Sequence, residues 1–186
     1  TMQDNSNPEM NAADKAAKEQ AGGNSLKVVF ASERTDPASH SEYVCKVVNN
    51  DIAQSKLHNT PRKYRMMRIL TKHDGKPLLD MLELNIPKSV HFSITGLGGS
   101  KWEPGVMKPD DLFDRIEELI KRGKLNPNTT TIRIDPIVPG VTTPNMIEHI
   151  MSRAIKLGIS NFKVSIMDSY DYKGIKSTYF MPVDFL

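Results

Sequence analysis

The chain has 186 residues, of which 38% are hydrophobic and 25% charged, with a formal net charge of +3. That composition is typical of a globular protein, and the length favours one domain over two. Cys45 is the single cysteine, which excludes an internal disulfide and a cysteine cluster for zinc or iron within this chain. No apolar run is long enough to cross a bilayer and the polar N-terminus lacks a signal region, so we expect a cytoplasmic protein without membrane contact.

The first 24 residues are rich in Asn, Gln, Ala and Lys and contain almost no apolar anchors. This composition predicts a disordered tail over 1–24. We expect a single domain over 25–186.

From residue 26 onward, apolar strand patterns alternate with helical ones. The predicted strands span 26–32, 66–72, 89–96, 130–137 and 161–168. The predicted helices span 39–48, 76–84, 109–123 and 144–158. The helix over 109–123 has the clearest pattern, with Pro109 at its start, an apolar stripe and Gly123 at its end. The helix over 39–48 opens on serines suited to capping. Five strands separated by four helices predict a parallel sheet of right-handed β-α-β units.

Polar side chains recur on one face of three predicted strands. The alternating sets are Val90, Phe92 and Ile94 against His91, Ser93 and Thr95; Ile132 and Ile134 against Arg133 and Asp135; and Phe162, Val164 and Ile166 against Lys163, Ser165 and Met167. A parallel strand covered on both faces usually reads as one apolar run, and a charge in an apolar interior is costly. The pattern therefore predicts an α/β, TIM-like partial barrel of five parallel strands, with helices outside and a polar binding cavity within.

The charged pair on the fourth strand is the main candidate for ligand binding. Arg133 would act as a fixed cation for a carboxylate or phosphate, oriented by Asp135, and Lys72 would add a second positive charge. Asp36 and Asp168 would recognise a hydroxyl or amine, or act in acid–base chemistry. For any one of these residues, a structural ion pair or hydrogen bond is the commoner explanation.

Three weaker patterns leave alternatives open. The loop "TGLGGSKWEPG" would cradle an anion or hold Glu103 against a ligand amine, although glycine loops more often permit a tight turn. The basic stretch 56–76 would contact nucleic-acid phosphates, although such a run is more often a solvated surface. A metal-dependent hydrolase is a third possibility, with His91, Asp135 and Asp168 around a divalent ion; no spaced zinc motif is present.

Five ordered motifs resemble those of a known bacterial family. These are "ASERTDPASHSEYV", "ILTKHDGKPLL", "FSITGLGGSKWEPGV", "IRIDPIVPG" and "VSIMDSYDYKG". In this order they resemble the family catalogued as domain of unknown function 1848, a relative of radical S-adenosylmethionine (SAM) enzymes such as spore photoproduct lyase. The resemblance covers about residues 26 to 175.

The resemblance implies a set of site residues near the carboxyl ends of the strands. Those implied for catalysis are Asp135, Asp168 and Lys72. Those implied for substrate or cofactor binding are Arg34, Thr35, Asp36, Thr95, Gly96, Gly98, Glu103, Arg133 and Ser165. No residue is implied as a metal ligand.

The chain also departs from that family. Glu33 replaces a second arginine and His73 replaces an asparagine, while Ile69 and Leu70 replace an aromatic pair. The family's C-terminal cysteine cluster is missing, so SAM and a [4Fe–4S] cluster are implied by resemblance without a ligand set here. We therefore expect either the cluster-less N-terminal part of such an enzyme or a degenerate relative of it. The alternative is a non-catalytic module that binds an anion or nucleotide. Open sheet edges further predict a homodimer or a missing C-terminal portion.

Overall fold

The computed structural model describes residues 28–31, 36, 40–60, 64, 66–72 and 74–167. Its strands are β1 (Val28–Ala31), β2 (Met66–Thr71), β3 (Lys88–Ser93), β4 (Thr130–Ile137) and β5 (Asn161–Ile166). Its helices are α1 (Ser41–Leu57), α2 (Lys76–Leu82), α3 (Pro109–Lys121) and α4 (Pro144–Lys156), with a short 3-10 helix at Pro127–Thr129. The chain divides within β3 into two compact units, and each is described by itself. Within each unit, neighbouring strands follow the order of the chain.

The first unit, up to His91, is built around β1 and β2. These two strands run parallel. The backbone N–H of Met67 donates to the carbonyl of Pro87 at 2.9 Å, which brings the start of β3 beside β2. Met67 and Ile69 are fully buried and alternate with half-buried neighbours, since successive side chains of a strand point to opposite faces.

Helix α1 is longer than the sequence pattern indicates. It covers Ser41–Leu57, because Val48 and Ile52 continue the buried face by a further turn. Of the two serines expected at the cap, Ser39 lies outside the described residues and Ser41 is not the N-cap. The N-cap is His40, which makes no side-chain capping bond, and Ser41 lies inside the helix and is buried. A short helix, α2, follows β2 with Pro77 in its first turn and buries Leu78, Met81 and Leu82.

The second unit, from Phe92, packs α3 and α4 over its strands. Helix α3 begins at Pro109 and buries four apolar residues, Leu112, Phe113, Ile116 and Leu119. Helix α4 is capped by the side chain of Thr143, which accepts from the Met146 N–H at 3.3 Å. The helices are joined at their surface by His149 to Asp110 (2.8 Å) and Arg153 to Asp114 (2.5 Å). Such exposed pairs contribute little stability, so the apolar faces carry the packing.

Strand β4 shows the predicted alternation clearly. Ile132 and Ile134 are fully buried, whereas the side chains of Arg133 and Asp135 on the other face are 19% and 24% exposed. The N–H of Ile94, just after β3, donates to the Arg133 carbonyl at 2.8 Å. Strands β4 and β5 run parallel, so residues in register share a face.

Strand β5 differs from the expected pattern. Its apolar residues Val164 and Ile166 were expected to pack under helices, yet they are 52% and 65% exposed. The register pairs Ile134 with Val164, so Val164 lies on the apolar face, but at the edge of the described sheet. Apolar alternation identifies a face, and it does not establish that a helix covers that face.

The class of the fold is confirmed as α/β, with a parallel sheet and helices between successive strands. The boundaries of most elements agree with the sequence-based ones within a few residues. The single domain over 25–186 and the closure of five strands into a partial barrel stay predictions. No helix among the described residues combines the length and apolarity that a membrane span requires.

Candidate functional site

The predicted charged pair forms the centre of a side-chain cluster on β4 and β5. The guanidinium of Arg133 donates through one terminal nitrogen to Oδ2 of Asp135, and the hydroxyl of Ser165 donates to Oδ1. Ser93, at the end of β3, donates to the backbone carbonyl of Asp135 at 3.1 Å. Residues from three strands of the second unit thus meet at one carboxylate-bearing position, which we call the Asp135 cluster.

The Asp135 cluster holds its carboxylate in the charged form. Burial raises the pKa of Asp135, but the hydrogen bonds from Ser165 and Arg133 and the positive charges of Arg133 and Lys163 lower it by more. The resulting pKa lies below the usual range of an aspartic acid. Asp135 is therefore a poor general acid at neutral pH and a good anchor for a cation.

The guanidinium of Arg133 retains bonding capacity beyond Asp135. Its Nε is buried and has no hydrogen-bond partner within the described residues. A buried donor without a partner costs about 1–3 kcal/mol. Because this nitrogen is closed to solvent here, a ligand oxygen or a water would recover that free energy only after the side chains around it move.

Lys163 belongs to the same face, although the sequence analysis did not select it as a site residue. It is the register partner of Arg133 on β5 and is exposed. The signal was present in the sequence, because strand alternation already placed Lys163 beside Ser165. The parallel register that joins it to Arg133 was not readable from the sequence.

The loop after β3 forms a second cluster in this unit, around Glu103. Thr95 is buried; its hydroxyl donates to a Glu103 carboxylate oxygen and accepts from the Leu97 N–H at 3.2 Å. The backbone carbonyl of Glu103 accepts from the Gly99 N–H at 3.0 Å. Part of the binding capacity of Glu103 is thus used to close its own loop.

Two glycines of this loop are required by its geometry. A Cβ on Gly98 would lie 2.0 Å from the carbonyl oxygen of Met107, closer than any real contact. Gly96 has φ +84°, a conformation that strains other residues, and a Cβ there would lie 3.3 Å from Cε of Met146. The loop geometry therefore favours the tight-turn explanation for Gly96 and Gly98.

The first unit contains a third cluster, where β2 ends. The hydroxyl of Thr71 lies 2.9 Å from both carboxylate oxygens of Asp36, and the backbone N–H of Lys72 donates to Asp36 at 2.7 Å. Asp36 therefore ties the segment before α1 to the end of β2. Lys72 contributes its backbone N–H to this contact, and the predicted role of its side chain as a second cation stays a prediction.

The remaining candidate residues lie either outside these clusters or outside the described part of the chain. Arg34, Thr35 and Asp168 lie outside the described residues, as do Arg62, Lys63 and Arg65 of the basic stretch. His91 lies 3.1 Å from the Ser89 hydroxyl through its Nε2. In the described part of the chain, no three His, Cys, Asp or Glu side chains are grouped to hold a metal ion.

No family model, curated protein or solved structure matches this chain. The resemblance to radical SAM enzymes rests on the five motifs alone.

The residues of this chain do not fit a [4Fe–4S] cluster. Such a cluster is held by several thiolates, and Cys45 is the only cysteine. Burial and, secondarily, the negative charge of Asp80 raise the pKa of the Cys45 thiol, while Lys76 opposes them. Cys45 is thus held as a neutral thiol on α1, and we derive no chemical step through an iron–sulfur centre.

Proposed function

We propose that this α/β domain binds an anionic small molecule, a carboxylate or a phosphate-bearing nucleotide, at the Asp135 cluster. The observation that carries the proposal is the arrangement of Arg133: its guanidinium is fixed by Asp135 on a partly exposed strand face, and its buried Nε has no partner among the described residues.

The cluster is suited to binding because its cation is fixed before a ligand arrives. Arg133 bonds Asp135, which in turn accepts from Ser165, so neither charged side chain is free to turn away. A guanidinium presents several N–H donors in a planar fork that matches carboxylate and phosphate oxygens. Fixing this fork in advance lowers the entropy lost when a ligand binds.

The alternative explanation is a purely structural ion pair, which only joins β4 to β5. It accounts for the Arg133–Asp135 and Ser165–Asp135 contacts equally well. It does not account for a buried guanidinium nitrogen without a partner, because an apolar residue at 133 would avoid that cost. Ligand binding distinguishes the two explanations.

Thermal unfolding with added anions tests the proposal. We expect inorganic phosphate, nucleotides or SAM to raise the melting temperature of the wild-type chain, and we expect the Arg133→Met variant to lose that response. Arg115→Met is the matched control, because Arg115 is an exposed arginine on α3 paired with Glu118. Stabilisation that is equal in wild type and Arg133→Met, or absent in both across a broad set of anions, would leave the structural ion pair as the explanation.

The resemblance supports a further proposal about descent, namely a cluster-less or degenerate relative of radical SAM enzymes. Three of its motifs contribute hydrogen-bonded contacts, Thr95 with Glu103 within one motif and Asp135 with Ser165 between two others. From the alternation of polar and apolar residues along the strands, we also propose a partial barrel of five parallel strands. SAM added to the wild-type chain tests the ligand, since its carboxylate would bind Arg133, and a crystal structure tests the barrel. If phosphate binds and SAM does not, SAM is excluded as the ligand of this site and the anion site stands.

A further inference from the structure

A second positive charge stands beside Arg133 on the neighbouring strand. Arg133 and Lys163 are partners in the register of β4 and β5. Residues paired in this way in parallel strands lie about 5 Å apart at Cα and share a face of the sheet. The side chain of Lys163 is exposed, and its ammonium group makes no ion pair or hydrogen bond with any other described residue.

Asp135 does not neutralise both cations. Its two carboxylate oxygens already accept from Arg133 and Ser165. The three charged groups therefore leave an excess of one positive charge on this face. The charge of Lys163 is felt by the cluster, because it contributes to lowering the pKa of Asp135.

We propose that Lys163 is the second cation of the anion site and makes it selective for a phosphate dianion over a carboxylate. The inference rests on the proposed function of the Asp135 cluster and names its ligand class. Arg133 provides the oriented fork for two oxygens, whereas Lys163 provides a mobile point charge. A monoanionic carboxylate engages the fork and gains about half as much from the second charge as a dianion does. A phosphate monoester has further oxygens and a second negative charge for Lys163.

Two simple ligands separate these contributions. Methyl phosphate and acetate are titrated into the full chain by calorimetry or NMR, above the second pKa of a phosphate monoester, which is about 6. We expect Lys163→Met to weaken methyl phosphate binding about tenfold, which corresponds to about 1.4 kcal/mol. We expect acetate binding to weaken by only about threefold, since its single negative charge has half the Coulomb interaction with Lys163. Lys156→Met is the matched control, an exposed lysine on α4 outside the cluster.

The pH dependence supplies a readout that a structural role for Lys163 would not alter. Wild type should bind methyl phosphate more tightly as the pH rises through the second phosphate pKa, and Lys163→Met should lose most of that rise. Lys163→Arg should restore it, since the charge is kept.

The outcomes distinguish this inference from the proposed function. One outcome is that both ligands bind through Arg133 while Lys163→Met affects them equally or leaves both unchanged. In that case the assignment of Lys163 as the second cation is wrong, and the anion site stands. If neither ligand binds wild type, or Arg133→Met leaves both affinities unchanged, the anion site itself is wrong.

Discussion

Ser165 of β5 donates its hydroxyl hydrogen to the carboxylate of Asp135 on β4. The contact joins residues that are 30 positions apart in the chain. It also fixes the carboxylate that orients Arg133, so packing of the two strands and geometry of the candidate site depend on the same bond.

Replacing Ser165 by alanine is expected to weaken that coupling. A hydrogen bond to a charged acceptor contributes about 1.5–3 kcal/mol, and the half-buried site limits its replacement by water. We expect Ser165→Ala to lower the free energy of unfolding in urea by an amount in the lower part of that range. Ser152→Ala, at an exposed position of α4, is the control and should change stability by less than about 0.5 kcal/mol. Equal effects of the two substitutions would show that the Ser165 hydrogen bond does not contribute to the free energy of unfolding.

The charge of Asp135 makes stability depend on pH in a defined direction. Its pKa is lower in the folded chain than in the unfolded one, so the contribution is complete above the ordinary aspartate value of about 3.9 and is lost as the pH falls below it. Asp135→Asn should therefore be less stable than wild type at pH 7 by about 1–3 kcal/mol, because Arg133 loses its charged partner. The difference should shrink as urea titrations are repeated below pH 4. A difference that stays constant down to pH 3 would contradict a lowered pKa.

Two glycines in one loop should respond in opposite ways to the same change. Gly98→Ala places a methyl group against the carbonyl of Met107 and should destabilise the chain by about 1–3 kcal/mol or more. Gly105→Ala meets nothing within 4 Å and should be neutral, or stabilising by about 0.4–1 kcal/mol if the backbone permits alanine. Thermal unfolding of the two variants checks both expectations. A Gly98→Ala variant as stable as wild type would show that the loop moves freely.

The unexpected exposure of β5 can be tested with a matched pair of valines. Val90→Thr introduces a hydroxyl at a buried position of β3 and should cost about 1–3 kcal/mol. Val164→Thr makes the same change where the side chain is already half exposed, and we expect less than about 0.5 kcal/mol. A large cost at Val164 would show that another part of the chain, or a second copy, covers this face.

The sequence predicted the helices and strands better than it predicted the tertiary packing around them. Pro109 and the apolar stripe after it define α3 almost to the residue, because the capping and periodicity that form a helix are local. Helix α1 ran past its predicted end, since Ile52 gains its burial from tertiary packing that propensity does not report.

The candidate site, like the fold, was predicted from the sequence only in part. Alternation placed Arg133 and Asp135 on one partly exposed face, and the structure agrees. The role of Lys163 depends on register between strands, and the roles of Asp36 and Glu103 depend on partners in other segments. Such partners are set by the folded chain as a whole, so a one-dimensional pattern does not identify them.

The close approach of Gly98 to Met107 also limits how this chain can evolve. The obstacle is a main-chain carbonyl, which every amino acid at position 107 would present, so no second substitution there relieves it. Among homologues that keep this loop, we expect glycine to be invariant at 98 while position 105 drifts. The pattern would record a restriction imposed by the backbone, independent of whatever molecule the protein binds.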